Sequence, residues 1–301
     1  MAILEKGQEP AVRPVIDTTG PRTPAGRGKL GIRFLGYAAL LVFAATLLLP
    51  FFWMVTSSLK DNNEIFSNPV RWLPSRIVWE NYVNVWSQTN ILVWLRNTLI
   101  LSVAVTVLQL LTGSFAAYGF AKVRFPGRDL LFVAYIATIA VPWQSYMIPQ
   151  FILFSKMGVV DNLAAIILLH AFSAFGVFLM RQYYLTIPEE LSEAARVDGL
   201  SEYGIWWRIM LPLSAPALAS LALLSFVSTW NDYLGPLIYL RERSLWTLQL
   251  GLRSLVSNLY DRADYAVLFA GLTLSVIPIA IIFAFGQRYF VQGIAATGVK
   301  G

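Results

Sequence analysis

The sequence predicts an all-α membrane protein with six transmembrane helices, on three observations. Its composition is 57% hydrophobic with only 13% charged residues, a balance that a water-facing surface could hardly carry. Six apolar stretches approach or exceed the roughly 20 residues a helix needs to cross hydrocarbon, where it must satisfy its own N–H and C=O groups because lipid offers them no partner. Lys and Arg, finally, fall unevenly between alternate connections, as the orientation of a multi-pass chain requires.

The spans read as residues 34–56, 97–119, 129–152, 163–180, 213–237 and 266–287. Residues 1–29, rich in Pro, Gly, Thr and charge, read as a flexible cytoplasmic tail before a six-helix domain over 30–301. The first apolar run is too long for a signal peptide and leads into "VTSSLK" without a small-residue cleavage pattern, so it is expected to stay as an anchor. The second span carries Gly113, Ala117 and Gly119, small residues that let another helix approach, inside this chain or across a dimer seam. The third contains Pro142 and Pro149, each lacking an N–H, and is expected to kink or break near "VPWQSYMIP". In the fourth, His170 is, tyrosines apart, the one titratable side chain well inside a span; it reads as a neutral imidazole bonded to a neighbouring helix.

Against this topology fourteen Lys and Arg fall on one side and nine on the other. The short connections show the bias best, with three in "AKVRFPGR" and one in "SKMGVVDN". Both termini and the polar stretch 189–212 are therefore placed in the cytosol. The net charge of +6 is then a matter of topology, and no nucleic-acid partner is invoked. Absence of cysteine excludes disulfides, Cys-ligated metal and a thiol nucleophile. A membrane enzyme is disfavoured because no metal-ligand cluster, phosphate loop or nucleophile with a base partner is visible. An ion-gradient-driven carrier is disfavoured because the spans hold almost no charge and no inverted repeat is evident.

The polar stretch "EELSEAARVDGLSEYGIWWRIMLP" interrupts this oily chain. Thr186 with Glu189 fits a capping box, Pro188 suits a first helical turn, and Gly199 suits a left-handed C-terminal cap. A short, sharply bounded helix follows, and Ser201 starts a second one running into Leu211-Pro212. On the first helix Ile187, Leu191, Ala194 and Ala195 share a stripe, with Glu190, Glu193 and Arg196 elsewhere. Small and acidic, this helix suits insertion into a groove of a protein partner with carboxylates at the rim, more than a basic, bulky membrane-surface helix would.

Glu193-Ala194-Ala195, three residues, Gly199, nine residues, Ile209, one residue, then Leu211-Pro212 resembles the cytoplasmic signature of permease subunits of bacterial ATP-binding-cassette importers. Every fixed position is filled. The resemblance extends through "SSLKDNNEIF", "AAYGFAKVRFPGR", "STWNDYLGPLIYL" and "FVQGIAATGVKG", all similar to the carbohydrate branch that includes maltose and glycerol-phosphate permeases. It implies the type I importer permease fold, in which Pro188–Tyr203 forms a coupling helix docked in a separate ATPase. Glu190, Glu193, Ala194, Ala195, Asp198, Gly199, Ile209, Leu211 and Pro212 are then the coupling residues. The implied partners are a second permease, two ATPase chains, an extracytoplasmic binding protein and a sugar-like solute. This chain binds no cofactor of its own. It lacks G-x-x-x-x-G-K-[ST], so ATP and Mg²⁺ belong to the ATPase.

For the solute path the residues offer Trp230, Asn231, Asp232 and Tyr233: an aromatic face, an amide and a carboxylate for hydroxyls. Interfacial anchoring, a structural cap or contact with the second permease explains the same residues. Trp143, Gln144 and Tyr146 fit a kinked-helix packing role better than the path. Trp72, Trp79, Tyr82 and Trp86 fit either a binding-protein surface or packing on the spans, and "GIAATGVKG" fits either an ATPase contact or a frayed end. Disaccharide, oligosaccharide, amino sugar and glycerol phosphate all suit the sequence as solutes.

Overall fold

The computed structural model describes residues 27–257 and 264–298 of the chain. Those residues form helices joined by turns and contain no strand, so the fold is all-α and multi-pass. The chain divides into two units at Phe52. The first ends within α1 (Arg27–Ser57), an apolar helix with Pro50 inside it. Helix thus begins at Arg27, within the stretch read as a tail, and residues 1–26 of that tail lie outside the described residues.

The second unit holds the rest. In order it contains α2 (Glu80–Gln88), α3 (Ile91–Lys122), α4 (Arg128–Ala137), α5 (Met147–Lys156), α6 (Leu163–Leu169) and α7 (Ala174–Thr186). Then come α8 (Glu190–Val197), α9 (Glu202–Leu213), α10 (Ala215–Trp230), α11 (Leu234–Tyr239), α12 (Leu248–Ser257) and α13 (Tyr265–Gly298). Arg33–Ser57, Ile91–Lys122 and Tyr265–Gln287 are each long and apolar enough to cross a membrane. The pairs α6–α7, bent by 47°, and α9–α10, bent by 82°, add two more if each crosses as one.

The third predicted span is not a continuous helix. α4 stops at Ala137, single 3₁₀ turns cover Thr138–Ala140 and Trp143–Ser145, and helix resumes at Met147. Val141 is extended (φ −86, ψ 109), as the ring of Pro142 demands of the residue before it. Pro149 lies in the first turn of α5, where a missing N–H leaves no helical bond unmade. The fourth span is also two helices, and the break between them was not foreseen. Ser173 caps α7 by accepting the Gly176 amide at 3.0 Å, which starts a new helix where the apolar run looks uninterrupted.

α3 is the spine of this unit. At its start Ile91 and Trp94 pack with Val85, Phe226, Trp230, Leu248 and Leu252. Further along Leu101 joins Phe154, Ile166 and Tyr239. At its far end Ala117, Tyr118 and Ala121 pack with Val177, Met180, Tyr184, Ile205 and Met210. Gly113 and Ala117 settle their own question, because a Cβ on Gly113 would meet the backbone of Gly176 and Val177 at 3.6 and 3.8 Å. The small pair therefore seats α7 on α3 within the chain, while Gly119 has open space beside it.

Breaking a helix in hydrocarbon frees carbonyls that must find donors. At the α6–α7 break α3 supplies them: Gln109 Nε2 donates to the His170 carbonyl at 2.7 Å and Thr112 Oγ1 to that of Ala171 at 3.0 Å. Gln109 Oε1 in turn accepts the Ser225 hydroxyl of α10 at 2.6 Å. One amide thus ties three elements, each such bond contributing on the order of 0.6 kcal/mol and up to about 1.7.

The segment 58–79 is a folded knot, and its aromatics divide between the two readings. Lys60 is fully buried, donates to the Arg71 carbonyl at 2.6 Å and stands 4.0 Å over the Trp53 ring. Burial lowers its ammonium pKa, against the pull of Glu64. Trp72 meets Trp53 edge-on, whereas Trp79 is 64% exposed. Between α5 and α6, Asp161 (φ 62) accepts the amides of Arg241 and Glu242 at 2.8 and 2.9 Å. Those amides, Glu242 first, hold its carboxyl below the usual range. A depressed pKa adds stability that is present above the unfolded value of about 3.9 and lost as pH falls through the folded one. Asp161→Asn should therefore lower the thermal midpoint slightly at pH 7 and by less at pH 3. An equal gap at both values would show that the charge plays no part.

Candidate functional site

The polar segment folds as a short helix clamped at its end. α7 runs through Thr186, whose hydroxyl donates to the Tyr183 carbonyl at 2.7 Å. The predicted capping box is therefore absent: Thr186 finishes the preceding helix, and Glu189 is itself the N-cap of α8, without a side-chain cap bond. Pro188 sits before that cap. At the other end the prediction holds. Gly199 has φ +83, its amide donates to the Arg196 carbonyl at 3.0 Å, and the Leu200 amide donates to that of Ala195 at 3.0 Å. These are the two bonds of a Schellman cap. Ser201 then caps α9 by accepting the Gly204 amide at 3.2 Å.

The predicted stripe splits between two faces. Ala195 is 5% exposed and, with Ile187, belongs to the inner cluster around Tyr184 and Met210, so it braces the helix from beneath. Glu190, Leu191, Glu193, Ala194, Val197, Asp198 and Gly199 are exposed, Val197 at 88%. Leu191, Ala194 and Val197 thus form the outward apolar strip, with Glu190, Glu193 and Asp198 around it. Val197 escaped the sequence reading because a stripe centred on Ala194-Ala195 leaves it on the flank; only packing shows which alanine faces inward.

Charged groups fasten this helix to α3. Arg196 Nε donates to Glu202 Oε1 at 2.7 Å, and Glu202 Oε2 accepts the Tyr118 hydroxyl at 2.5 Å. Arg196 Nη2 reaches the Lys122 carbonyl at 3.3 Å, and Lys122 Nζ donates to the Ile187 carbonyl at 2.5 Å. Arg124 pairs with Glu189 at 2.9 Å. Within α9 the chain passes through a π turn, Trp206–Met210, to Leu211-Pro212, then bends by 82° into α10. Ile209 and Leu211 pack partly buried on the inner cluster, whereas Pro212 is exposed.

A second locus gathers the broken elements. A cavity of about 340 Å³ is lined by Trp143, Gln144, Tyr146, His170, Asp232 and Gly235, with Leu169 and Leu234. His170 Nε2 lies 3.0 Å from Asp232 Oδ2, so the imidazole does bond a neighbouring element, and Asp232 Oδ1 accepts the Gly235 amide at 3.1 Å. A Cβ on Gly235 would stand 2.5 Å from Asp232 Oδ2, so glycine is needed there. Of the four predicted path residues only Asp232 reaches this cavity. Trp230 is 1% exposed, stacks on Phe226 and donates Nε1 to the Ser275 carbonyl at 3.2 Å, which makes it core. Asn231 turns back on the Val227 carbonyl, and Tyr233 lines a separate hollow with Gln249 and Arg253. Among the described residues no cluster of His, Cys, Asp or Glu is placed to hold a metal.

Residues 109–296 match the family described as "Binding-protein-dependent transport system inner membrane component". The chain belongs to this family. It is a transmembrane permease component of an ABC-type transport system and not an ion-driven carrier. It is 34% identical to the arabinooligosaccharides transport system permease protein AraQ of Halalkalibacterium halodurans, over 90% of this chain and 95% of that protein. It is 29% identical to the diacetylchitobiose uptake system permease protein NgcG of Streptomyces coelicolor, over 84% of each. Among solved structures, a bacterial ABC transporter involved in the import of the acidic polysaccharide alginate matches with a TM-score of 0.78 and 28% identity, over 89% of this chain and all of that one.

In this permease the Schellman cap fixes where α8 ends. A Cβ at Gly199 meets nothing within 4 Å, so the cost of any side chain there is the left-handed backbone alone, roughly 1–2 kcal/mol for alanine and less for asparagine. Gly199→Ala should speed amide exchange at Gly199 and Leu200 several-fold, with Gly199→Asn in between. Unchanged exchange in both variants would show that the cap carries no strain.

Proposed function

We propose that this permease spans the membrane six times with both termini in the cytoplasm and passes the motion of a separate ATPase to a saccharide path through α8. The six-span count takes α4–α5 as the third crossing, which the apolar exposed Leu130, Leu131 and Val133 of α4 support. The observation that carries the reading is α8 itself: an acidic helix with Glu190, Leu191, Glu193, Ala194 and Val197 outward, locked at Gly199 and tied to α3 through Arg196, Glu202 and Tyr118. Ala195, Ile209 and Leu211 take the supporting positions beneath it, and Asp198, Gly199 and Pro212 bound it. A stretch of about 48 Å, the length of a 32-residue helix, then links this contact to the far end of α3. Partway along lies Gln109, holding the α6–α7 break beside the cavity. A push on α8 therefore reaches the break and α10 as rigid-body motion, the form of coupling a two-state transporter needs.

ATP and Mg²⁺ act in the ATPase, two copies of which serve this chain and a second permease; an extracytoplasmic protein delivers the solute. That the solute is a saccharide rests on the relatives named above. In the cavity the Trp143 and Tyr146 rings offer stacking faces, while Gln144 and Asp232 offer hydroxyl partners. We therefore assign the solute path to Asp232 with those three residues. Trp230 supports it from the core.

Reconstituted alone in liposomes, the permease should move no solute under any ion gradient; uptake by the isolated chain would overturn the reading. In the assembled transporter, Glu190→Lys with Glu193→Lys should reduce ATPase association or uptake per ATP by about tenfold or more, with all helices still inserted. Wild-type association and uptake would remove α8 from the contact. Asp232→Asn tests the path separately: uptake should fall while ATPase association stays unchanged, and normal uptake kinetics would exclude the cavity.

A further inference from the structure

Beside α8, but on the other flank of Lys122, a groove of about 550 Å³ opens between the end of α3, the start of α4 and the stretch from Leu185 to Glu189. One wall is basic, with Lys122, Arg124 and Arg128; the other is apolar, with Phe125, Leu130 and Leu185. Lys122 is 5% exposed, and its ammonium bonds only the Ile187 carbonyl. No carboxylate lies within ion-pair distance of it among the described residues. The two carboxylates that line the groove, Asp129 and Glu189, are already engaged. Glu189 is taken by Arg124 at 2.9 Å, and Asp129 by Arg128 and Arg181 at 3.2 and 3.5 Å. On the far side of Lys122, Arg196 and Glu202 pair with each other, and Glu193 lines the neighbouring groove. Glu189 and Glu190 act on the Lys122 ammonium only from beyond ion-pair distance, and a buried ammonium without a counter-ion in contact is costly, so the groove can take a further negative charge beside it.

The depth of the groove says where that charge comes from. Leu130, Leu131 and Val133 are 75, 54 and 63% exposed, so on the proposed crossing of α4–α5 an apolar surface open to lipid begins within one turn of Arg128. The basic wall therefore stands at headgroup level and the apolar wall at the first methylenes of an acyl chain. A soluble anion would use one wall only, whereas an amphiphile uses both. We propose that this groove seats an anionic phospholipid, its phosphate between Arg124 and Arg128 with Lys122 as the buried counter-charge, and its acyl chain against Leu130 and Leu185. Such a lipid would pin the elbow between α3 and α4 beside α8. The inference rests on the chain being a membrane permease and is independent of whether α8 docks on the ATPase.

The test uses the assembled transporter, delipidated in detergent and offered phosphatidylglycerol or phosphatidylcholine, with bound lipid counted by native mass spectrometry. The wild type should retain phosphatidylglycerol preferentially. Arg124→Gln with Arg128→Gln should lower that retention about tenfold or more, at roughly 1 kcal/mol per basic residue, while the double replacement by Lys keeps most of it. If the double Gln variant fails to assemble, Arg128→Gln alone decides, with a several-fold loss expected. Equal retention of the two lipids, or unchanged retention in the Gln variants, would overturn the proposal. So would displacement of the lipid by inorganic phosphate as effectively as by short-chain phosphatidylglycerol, which would mark a soluble-anion site. Binding of the lipid only after the ATPase is stripped from the transporter, with a crosslink from position 124 to that subunit in the intact assembly, would assign the groove to the protein partner instead.

Discussion

A chain in hydrocarbon must satisfy every backbone donor and acceptor from within itself, and the placement of polar side chains in this permease follows from that constraint. Three of its apolar runs are interrupted, by Pro142, by the Ser173 cap and by the bend at Ser214. Each interruption exposes backbone that continuous helices would have covered. The spine α3 answers with Gln109 and Thr112 at the carbonyls of His170 and Ala171, and Asp232 answers by accepting the Gly235 amide. Gln109, Thr112 and Asp232 are inside the bundle because the helices are broken.

Broken helices leave room as well as polarity. The cavity holding Asp232 lies where the break before α5, the break between α6 and α7, and the turn between α10 and α11 meet. Straight spans would pack side chain to side chain and leave no space there. The same geometry makes the region responsive, because each break is secured by a few bonds of about a kcal/mol or less while the inner cluster around Tyr118 and Tyr184 is closely packed. Rigid ends and a soft middle suit the proposed drive through α8.

Much of this was legible in the chain. Apolar length gave the membrane class, proline position gave the broken third span, and the glycine at 199 gave the end of α8, because each depends on covalent geometry or on length alone. What escaped depends on which neighbour a side chain meets. Thr186 and Glu189 have the spacing of a capping box, yet α7 continues one turn further and claims the threonine. Trp230 has the composition of a sugar platform, yet the Ser275 carbonyl and the Phe226 ring lie against it and draw it into the core. Gln109 was passed over although an amide in the middle of a 32-residue apolar helix is costly without a purpose. That rule, applied to amides as strictly as to charges, would have found it.

Arg196 and Glu202 show why the proposed coupling contact needs the tertiary structure to be read. In sequence they are two more charges in a polar segment, six positions apart across a glycine that ends one helix and a serine that starts another. Folded, the Schellman cap reverses the chain so that the guanidinium meets the carboxylate at 2.7 Å, and the carboxylate's second oxygen is occupied by Tyr118 of α3. One charge pair partly exposed to water adds little stability. Its value lies in direction: α8 is joined to the spine at its C-terminal end by Glu202 and at its N-terminal approach by Lys122, so it cannot pivot on one attachment. A helix held at both ends transmits displacement, whereas one held at a single end merely swings, and that difference is what the cap, the pair and the buried lysine together secure.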